Sequence, residues 1–388
     1  MNKKRIAISG MGCISALGKN ISETLGSFKD EKVSSSEVSI FETALKRPVF
    51  EVKDFSFKGN NRTLGLVLNA AEEAFKDHDL NFLSTQRVGI CIGTTVSSQL
   101  NNISFYKDYK ETGSTAIGPV DEYLRSNLAQ AIAEKYNLKG PCCVVVNACS
   151  SGADAIGVAL SWIENDLCDI AIAGGADELN KIPLSGFNSL GIMSTELCRP
   201  FDKERKGLNL GEGAGVLILE SHKIYSNKKE QPHLFIGGYG SASDAYHLTA
   251  PHPNGNGLEK AINEALNMSG IAFSDICFVN AHGTATLEND KVEGNVLKRV
   301  FGNEIKFIST KGYTGHTLAA AGAIEAIFSA LALQNGWLPP SAGFKREDDA
   351  IGISPQTKRT EVKGRFALST SLAFGGNNAA VVICKDIH

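Results

Sequence analysis

A single cysteine, Cys149, stands where an apolar strand is predicted to meet the start of a helix. After it, the apolar residues Ile156, Ala159, Leu160 and Ile163 recur at helical spacing. The positive end of a helix favours a thiolate over a thiol, and the small residues beside the cysteine leave room for a substrate. The pattern therefore predicts a nucleophile whose own backbone N–H can stabilise a developing oxyanion.

Two histidines also follow predicted strands. His282 comes two residues after the end of the apolar run 276–280, and His316 follows a later strand, with Lys311 five residues before it. Ligands of α/β folds bind at the carboxyl ends of the strands, so both rings are expected near Cys149. One histidine alone would more often be structural, whereas one cysteine and two histidines in this arrangement indicate covalent catalysis.

Polar residues around these histidines are suited to positioning. Thr284 and Thr286 can hydrogen-bond to a ring or to a substrate. Lys311 and Glu325 can support the site, or they can form an ordinary buried ion pair.

A glycine-rich loop near the C-terminus can complete such a site. Phe374 is followed by Gly375 and Gly376, which allow a close approach of the backbone to a ligand. The loop can supply a backbone N–H and gate a cavity. It is not a phosphate-binding loop, because no Lys-Ser/Thr pair follows it.

Short apolar runs recur along the chain and are typical of strands buried on both faces. They are residues 88–93, 143–146, 170–175, 215–219, 276–280, 306–310 and 379–383. Helical patterns separate the runs, which predicts an α/β fold. One plan of strand, sharp turn and buried helix is repeated, and the polar segment 226–232 divides the repeats. The predicted division is therefore into residues 1–230, which carry the cysteine, and 231–388, which carry the two histidines.

Composition excludes several classes of protein. The chain has 388 residues and a net charge of −3, which does not indicate a nucleic-acid partner. Nine cysteines without a Cys-x-x-Cys pair argue against a metal site and for a reducing, cytoplasmic location. Cys142 and Cys143 are interpreted as buried structural thiols. The basic N-terminal run 1–5 precedes too short an apolar run for a signal peptide, and no apolar stretch is expected to reach membrane-spanning length.

Taken together and in this order, the segments resemble the elongating β-ketoacyl-acyl-carrier-protein synthases of the thiolase-fold condensing enzymes. The resemblance extends over nearly the whole chain and includes residues 10–12, 199–205, 211–215 and 243–251. It implies an α/β, thiolase-like fold with duplicated βαβαβαββ halves in a five-layer αβαβα arrangement. Initiating synthases usually carry Asn in place of His316, and thiolases need a second cysteine near the C-terminal loop, which is absent here.

The resemblance also implies a role for each residue. Cys149 accepts the acyl group, His282 and His316 hold the malonyl thioester carbonyl, and Lys311 and Glu325 support them. The backbone N–H groups of Cys149 and Phe374 form the oxyanion hole, and Phe374 gates the acyl tunnel. Substrate contacts are expected at Thr284, Thr286, Leu372, Gly375 and Gly376.

The implied partners are an acyl carrier protein and a second ketosynthase-like subunit. The carrier protein delivers substrates on phosphopantetheine, so no separate cofactor and no metal is expected. Carrier docking is predicted at Lys203, Arg205, Lys206 and Thr249. The strand around 143–146 is predicted to form the interface of a homodimer or heterodimer.

The resemblance predicts decarboxylative Claisen condensation in fatty acid, polyketide or polyene elongation. Leu372 and Ala373 replace a usual Phe-Gly pair, and residues 57–66 are short and weakly basic. These departures favour an alternative, a specialised polyene or aryl-polyene ketosynthase paired with a chain-length-factor-like subunit. Two rival interpretations are a non-condensing partner subunit and a Cys–His hydrolase. The intact Cys149, His282 and His316 set argues against the first, and the lack of an orienting Asp or Asn motif argues against the second.

Overall fold

The computed structural model describes residues 5–58, 61–97, 101–118, 120–121 and 127–386. Residues 59–60 of the weakly basic segment 57–66 lie outside these ranges, as do residues 1–4 of the basic N-terminal run.

The first half of the chain builds one side of a large mixed sheet. Its strands are β1 (Ile6–Ser15), β2 (Val88–Gly93), β3 (Cys142–Val145), β4 (Ile170–Asp177) and β5 (Gly213–Glu220). Its described helices are α1 (Ile21–Lys29), α2 (Arg62–Phe75), α3 (Leu80–Ser84), α4 (Asn101–Thr112), α5 (Leu128–Tyr136), α6 (Ser151–Glu164), α7 (Lys181–Ser189) and α8 (His222–Tyr225). A 3₁₀ turn, Ala148–Ser150, leads into α6.

The second half builds the other side. Its strands are β6 (Leu234–Ser243), β7 (Ile276–Asn280), β8 (Phe307–Ile308), β9 (Trp337–Leu338), β10 (Thr360–Glu361), β11 (Phe366–Ala373) and β12 (Asn377–Lys385). Its helices are α9 (Asn256–Ser269), α10 (Leu287–Phe301), α11 (Lys311–Thr314) and α12 (Ala321–Asn335), with 3₁₀ turns at Phe273–Asp275 and Leu318–Ala320. Strands β9 and β10 form a separate two-stranded sheet.

The order of the main sheet shows the predicted duplication. It runs β3-β2-β4-β5-β1-β6-β12-β11-β7-β8, and β1 meets β6 through only two residue pairs. Outward from that junction, each half has two antiparallel pairings followed by two parallel pairings. Each half therefore has the βαβαβαββ order. The division near residue 230 falls in the loop between α8 and β6, and it stays a prediction.

Helices cover both faces of each half-sheet. On the outside, α2 packs against β1 and β5, α5 against β2 and β3, and α9 against β6 and β12. Between the half-sheets lie α6 and α12, which contact each other. The result is the expected αβαβα layering, and the two central helices are the ones that follow Cys149 and His316.

The central helix α12 is apolar because it is enclosed on all sides. Residues 321–333 are buried, and Gly336 in the left-handed conformation ends the helix. By length and composition, the segment Leu318–Asn335 could cross a membrane, but 89% of it is buried inside the protein. The expectation that no apolar stretch reaches this length was therefore wrong, because a helix between two sheets needs the same composition.

Two central glycines let these helices approach closely. A Cβ on Gly322 would lie 2.7 Å from the backbone nitrogen of Ala153, and one on Gly152 would lie 2.5 Å from the carbonyl oxygen of Ala319. Contacts this short exclude any larger residue without a shift of the backbone. The glycines thereby set how near the two halves of the site can come.

Candidate active site

The nucleophile candidate sits on a tight turn between β3 and α6. Ala148 has a positive φ of 49°, which turns the chain sharply and places Cys149 at the head of the central helix. Only 5% of Cys149 is exposed. The strained turn matches the predicted plan of strand, sharp turn and buried helix.

A buried carboxylate fastens this turn. Asp154 accepts hydrogen bonds from the side-chain amide of Asn147 at 2.6 Å and from the Ser150 hydroxyl at 2.8 Å. Its other oxygen accepts from the Tyr239 hydroxyl at 2.6 Å, which ties the turn to the second half of the chain. Sequence reasoning assigned Asp154 no role, because its partner Tyr239 is 85 residues away.

His282 lies just beyond β7, where the sequence pattern placed it. The Glu293 carboxylate on α10 accepts the backbone N–H of His282 at 2.8 Å and that of Gly283 at 2.7 Å. The Thr370 hydroxyl donates to the same carboxylate at 2.7 Å. Burial raises the pKa of Glu293 to about 7. Sequence analysis also assigned no role to Glu293.

His316 follows the short helix α11 and Gly315, rather than the strand tip expected from the sequence. Its backbone N–H donates to the carbonyl of Asn209 at 2.8 Å. Its Nε2 lies 3.1 Å from Cys149 Sγ, across 167 residues of sequence. The two half-chains therefore join their candidate catalytic residues at the central layer.

Both imidazoles are oriented by a donor on Nδ1. The Leu318 backbone N–H donates to Nδ1 of His316 at 3.2 Å, and the Lys311 ammonium lies 3.0 Å from Nδ1 of His282. Burial and the Lys311 charge hold the pKa of each histidine well below 6.5, so both rings are neutral. With Nδ1 occupied as an acceptor, Nε2 must carry the proton in each ring. The site therefore offers two N–H donors, on rings whose centroids are 5.1 Å apart.

Lys311 and Glu325 form an ion pair behind the histidines. Their side chains are 1% and 2% exposed, and neither lines the cavity that reaches Cys149. Burial raises the pKa of Glu325 to about 7, although the Lys311 charge opposes that shift. The pair combines both possibilities left open by the sequence, because it is buried and it also orients His282.

The expected low pKa of Cys149 is wrong. Burial raises its pKa to about 11, which outweighs the opposing effects of the Lys311 charge and of nearby backbone N–H groups. Those groups belong to Phe374 and to Cys149 itself, and both act on the sulfur. The predicted oxyanion donors therefore converge on the nucleophile, while the thiol stays protonated at neutral pH.

A cavity of about 350 Å³ leads to this cluster. Several predicted residues line it, namely Cys149, Thr249, His282, Thr284, Thr286, His316, Leu372 and Phe374. The Phe374 ring packs against Phe187, with 5.4 Å between the centroids, and its role as a gate stays a prediction. Gly375 and Gly376 do not line the cavity. They have φ values of 87° and 79° and form the turn that presents the Phe374 backbone.

The predicted docking residues do not form a basic patch. The structure corrects the docking prediction for Arg205, because only 2% of its side chain is exposed. Its guanidinium donates to Asp348 and to the carbonyls of Thr286 and Leu287. Lys203 pairs with Asp349. Lys206 lines the cavity and is exposed, but it pairs with Glu196.

The structure also corrects the interpretation of the two cysteines on β3 as buried structural thiols. Cys142 and Cys143 are half-buried on the edge strand of the sheet rather than enclosed in the core. Every cysteine of the chain is free, and all nine fall within the described residues. In the part of the chain that the structure describes, no group of three or more His, Cys, Asp or Glu side chains is placed to hold a metal ion.

A thiol that can take up an acyl group, beside two donors that can stabilise an enolate, is characteristic of condensing enzymes in the acyltransferase class. Two family descriptions agree with this chemistry. "Beta-ketoacyl synthase, N-terminal domain" matches residues 3–224, and "Beta-ketoacyl synthase, C-terminal domain" matches residues 233–345. The chain belongs to the β-ketoacyl synthase family.

Relatives and solved structures match along nearly the whole chain. A 3-oxoacyl-[acyl-carrier-protein] synthase 2 of Staphylococcus aureus is 31% identical over 408 residues, with 98% of each chain covered. The ishigamide ketosynthase/chain length factor structure has a TM-score of 0.93 at 27% identity and covers 99% of this chain and 100% of its own. AntDE:AntF, a type II PKS acyl-carrier protein in complex with its ketosynthase, has a TM-score of 0.91 at 25% identity, with 99% and 100% covered. These likenesses confirm the thiolase-like fold.

Proposed function

We propose that this chain is an elongating β-ketoacyl-acyl-carrier-protein synthase that condenses an acyl thioester with malonyl-acyl-carrier protein. The observation that carries the proposal is the 3.1 Å contact between Cys149 Sγ and His316 Nε2, with the His282 ring beside it. A hydrolase would need a base to activate water. Here both neutral rings instead carry their protons on Nε2 and serve as donors.

In the first half-reaction, Cys149 Sγ attacks the acyl thioester carbonyl. The backbone N–H groups of Cys149 and Phe374 stabilise the tetrahedral oxyanion. The C–S bond to the pantetheine arm then breaks, and the thiol proton passes to the departing sulfur. The protonated Cys149 thiol is consumed and a pantetheine thiol is formed, so no net proton is released.

In the second half-reaction, malonyl-acyl-carrier protein binds and loses CO2. The electron pair of the broken C–C bond becomes an enolate, whose oxygen accepts hydrogen bonds from Nε2 of His282 and of His316. The enolate carbon attacks the acyl-Cys149 carbonyl, and Cys149 leaves as a thiolate that takes up one proton from water, which restores its resting thiol. The product is a β-ketoacyl thioester two carbons longer.

The remaining residues position these groups. Lys311 donates to Nδ1 of His282 and keeps its proton on Nε2, while Glu325 balances the Lys311 charge. Thr284 and Thr286 line the cavity and can hydrogen-bond to the pantetheine arm. Leu372 and Phe374 contact the acyl chain. The substrates arrive on phosphopantetheine of the carrier protein, so the proposal includes no separate cofactor.

We also propose a cytoplasmic location and assembly with a ketosynthase-like subunit. A specialised enzyme paired with a chain-length-factor-like partner stays the second candidate. It is favoured by the match to the ishigamide ketosynthase/chain length factor structure, and by Leu372 and Ala373 in place of a usual Phe-Gly pair.

The direct test is mass spectrometry of the Cys149 peptide after incubation with acyl carrier proteins that bear different acyl chains. We expect an acyl adduct on Cys149, and then, on addition of malonyl-carrier protein, one CO2 for each β-ketoacyl product. Cys149→Ala should abolish the adduct. Release of free acid without carbon–carbon bond formation would instead identify a hydrolase.

A further inference from the structure

Two exposed leucines border the mouth of the cavity that leads to Cys149. Leu248 is 80% exposed and Leu287 is 58% exposed. Leu287 itself lines the cavity, as does Thr249 beside Leu248. Exposed apolar side chains at the mouth of a binding cavity are typical of a surface that a partner covers, because binding removes them from water.

Hydrogen bonds hold the backbone of both leucines. The Leu287 carbonyl accepts from the buried guanidinium of Arg205 at 2.8 Å. The Leu248 carbonyl accepts the Gly375 N–H of the glycine-rich loop at 2.8 Å. Each leucine is thus attached to a part of the active-site framework, and their positions relative to the cavity mouth are set by the fold.

The charged residues of two segments next to the mouth, the one that ends at the cavity-lining Lys206 and the one that pairs with it, cancel one another. Residues 196–206 carry four basic and three acidic side chains, and residues 344–349 carry two basic and three acidic ones, so their net charge is zero. Ion pairs join them, namely Arg199–Glu196, Lys203–Asp349, Arg205–Asp348 and Lys206–Glu196. A neutral, internally paired rim attracts an acidic partner weakly.

We propose that Leu248 and Leu287 form an apolar docking site for the carrier protein, and that burial of these side chains, rather than charge, supplies the contact energy. The inference rests on the proposed function, since a thioester on a tethered arm can reach Cys149 only if its carrier sits at this mouth. Arg205 then acts from beneath the site, as a residue that positions the Leu287 backbone.

The test measures binding of a holo-acyl carrier protein by calorimetry, which needs no turnover. We expect Leu248→Ser and Leu287→Ser each to weaken binding about tenfold, because each loses the burial of one leucine side chain. Between about 0.05 M and about 0.5 M NaCl, the Kd of the unsubstituted protein should change less than about twofold. The matched control is Leu167→Ser, since Leu167 is 56% exposed but does not line the cavity.

Condensation of a small acyl-pantetheine with malonyl-pantetheine separates the two proposals. If the unsubstituted protein lacks this activity, the proposed function fails, while the binding experiment still decides the docking site. Unchanged Kd values in both leucine variants would overturn the docking site. So would a severalfold loss of binding at high salt, which would show that charge carries the contact.

Discussion

We expect the reactivity of Cys149 to depend on its neighbours rather than on a low pKa. Burial holds the thiol at a pKa of about 11, so the uncharged thiol is the resting form. The donors that converge on the sulfur, namely His316 Nε2 and the Phe374 backbone N–H, are most useful when negative charge develops during attack. Charge stabilisation is thus reserved for the reaction itself.

Alanine substitution of either histidine should separate the half-reactions. We expect His282→Ala and His316→Ala each to lower condensation by about 10²–10³, because each removes one donor to the enolate oxygen. Transfer of the acyl group to Cys149 should be spared more than condensation. Single-turnover acylation, measured beside malonyl decarboxylation, checks this. Collapsed acylation with intact decarboxylation in both variants would mean that the roles are reversed.

The pH dependence of condensation should report the neutral histidines. Burial and the Lys311 charge hold both pKa values well below 6.5. Protonation removes no N–H donor, but it adds charge to a buried site that already contains Lys311. We therefore expect no loss of kcat as the pH falls to about 6.5, and a loss only further below it.

Removal of the Lys311 charge should raise the pH at which kcat is lost on acidification. In Lys311→Met the histidine pKa values rise toward 6.5, so the activity lost on acidification is lost at a higher pH. The double variant Lys311→Met/Glu325→Gln removes the facing carboxyl as well and serves as the control for its titration. If kcat is lost at the same pH in the unsubstituted protein and in both variants, the Lys311 charge does not lower the histidine pKa values.

The helices α6 and α12 bring the two halves of the site together. Cys149 precedes one and His316 precedes the other, and Gly152 and Gly322 lie at their close approach. The 3.1 Å contact between sulfur and imidazole therefore depends on the packing of two glycines that take no part in the chemistry.

Gly322→Val should impair both stability and activity. The added side chain meets the backbone of Ala153, so we expect a loss of about 1–3 kcal/mol in the free energy of unfolding. Condensation should fall as well, because the helices must separate. Denaturant unfolding and steady-state kinetics measure the two effects. The control is Gly26→Ala on α1, where a Cβ meets nothing within 4 Å and stability should be unchanged or higher.

Strand β3 gives the molecule a sheet edge of apolar character. Strand β3 ends the sheet, its four residues are half-buried, and Val146 just beyond it is 70% exposed. An exposed edge of this kind is a template for pairing with another chain. Because β3 leads directly into the Cys149 turn, a partner on this edge would also brace the nucleophile.

We expect the protein to be a dimer, alone or with a ketosynthase-like subunit. Val146→Asp should weaken the dimer, because it places a charge at the apolar edge. Light scattering at micromolar concentration measures this. Leu80→Asp, at an exposed leucine on α3, is the matched control and should leave the dimer intact. A stable monomer that also fails to bind a co-expressed partner subunit would contradict the prediction.

Local patterns were enough to predict much of the fold and the placement of Cys149 and His282 just beyond the ends of strands. Runs such as 88–93 and 170–175 are strands, because continuous apolar residues of that length are buried on both sheet faces. Cys149 and His282 could be recognised because a reactive residue at the end of a strand is a local feature. The duplicated halves could be predicted for the same reason, since each half repeats one local plan.

Long-range packing decided the rest. Asp154 and Glu293 gain their importance from Tyr239 and His282, which meet them only in the folded chain. The sequence pattern placed Arg205 on the surface, but in the folded chain its guanidinium is buried and donates to Asp348, which is 143 residues away. The pKa of Cys149 was predicted in the wrong direction for a related reason. A helix terminus is visible in a sequence, but the free energy of burying a charge depends on everything packed around it, and only the tertiary structure supplies that environment.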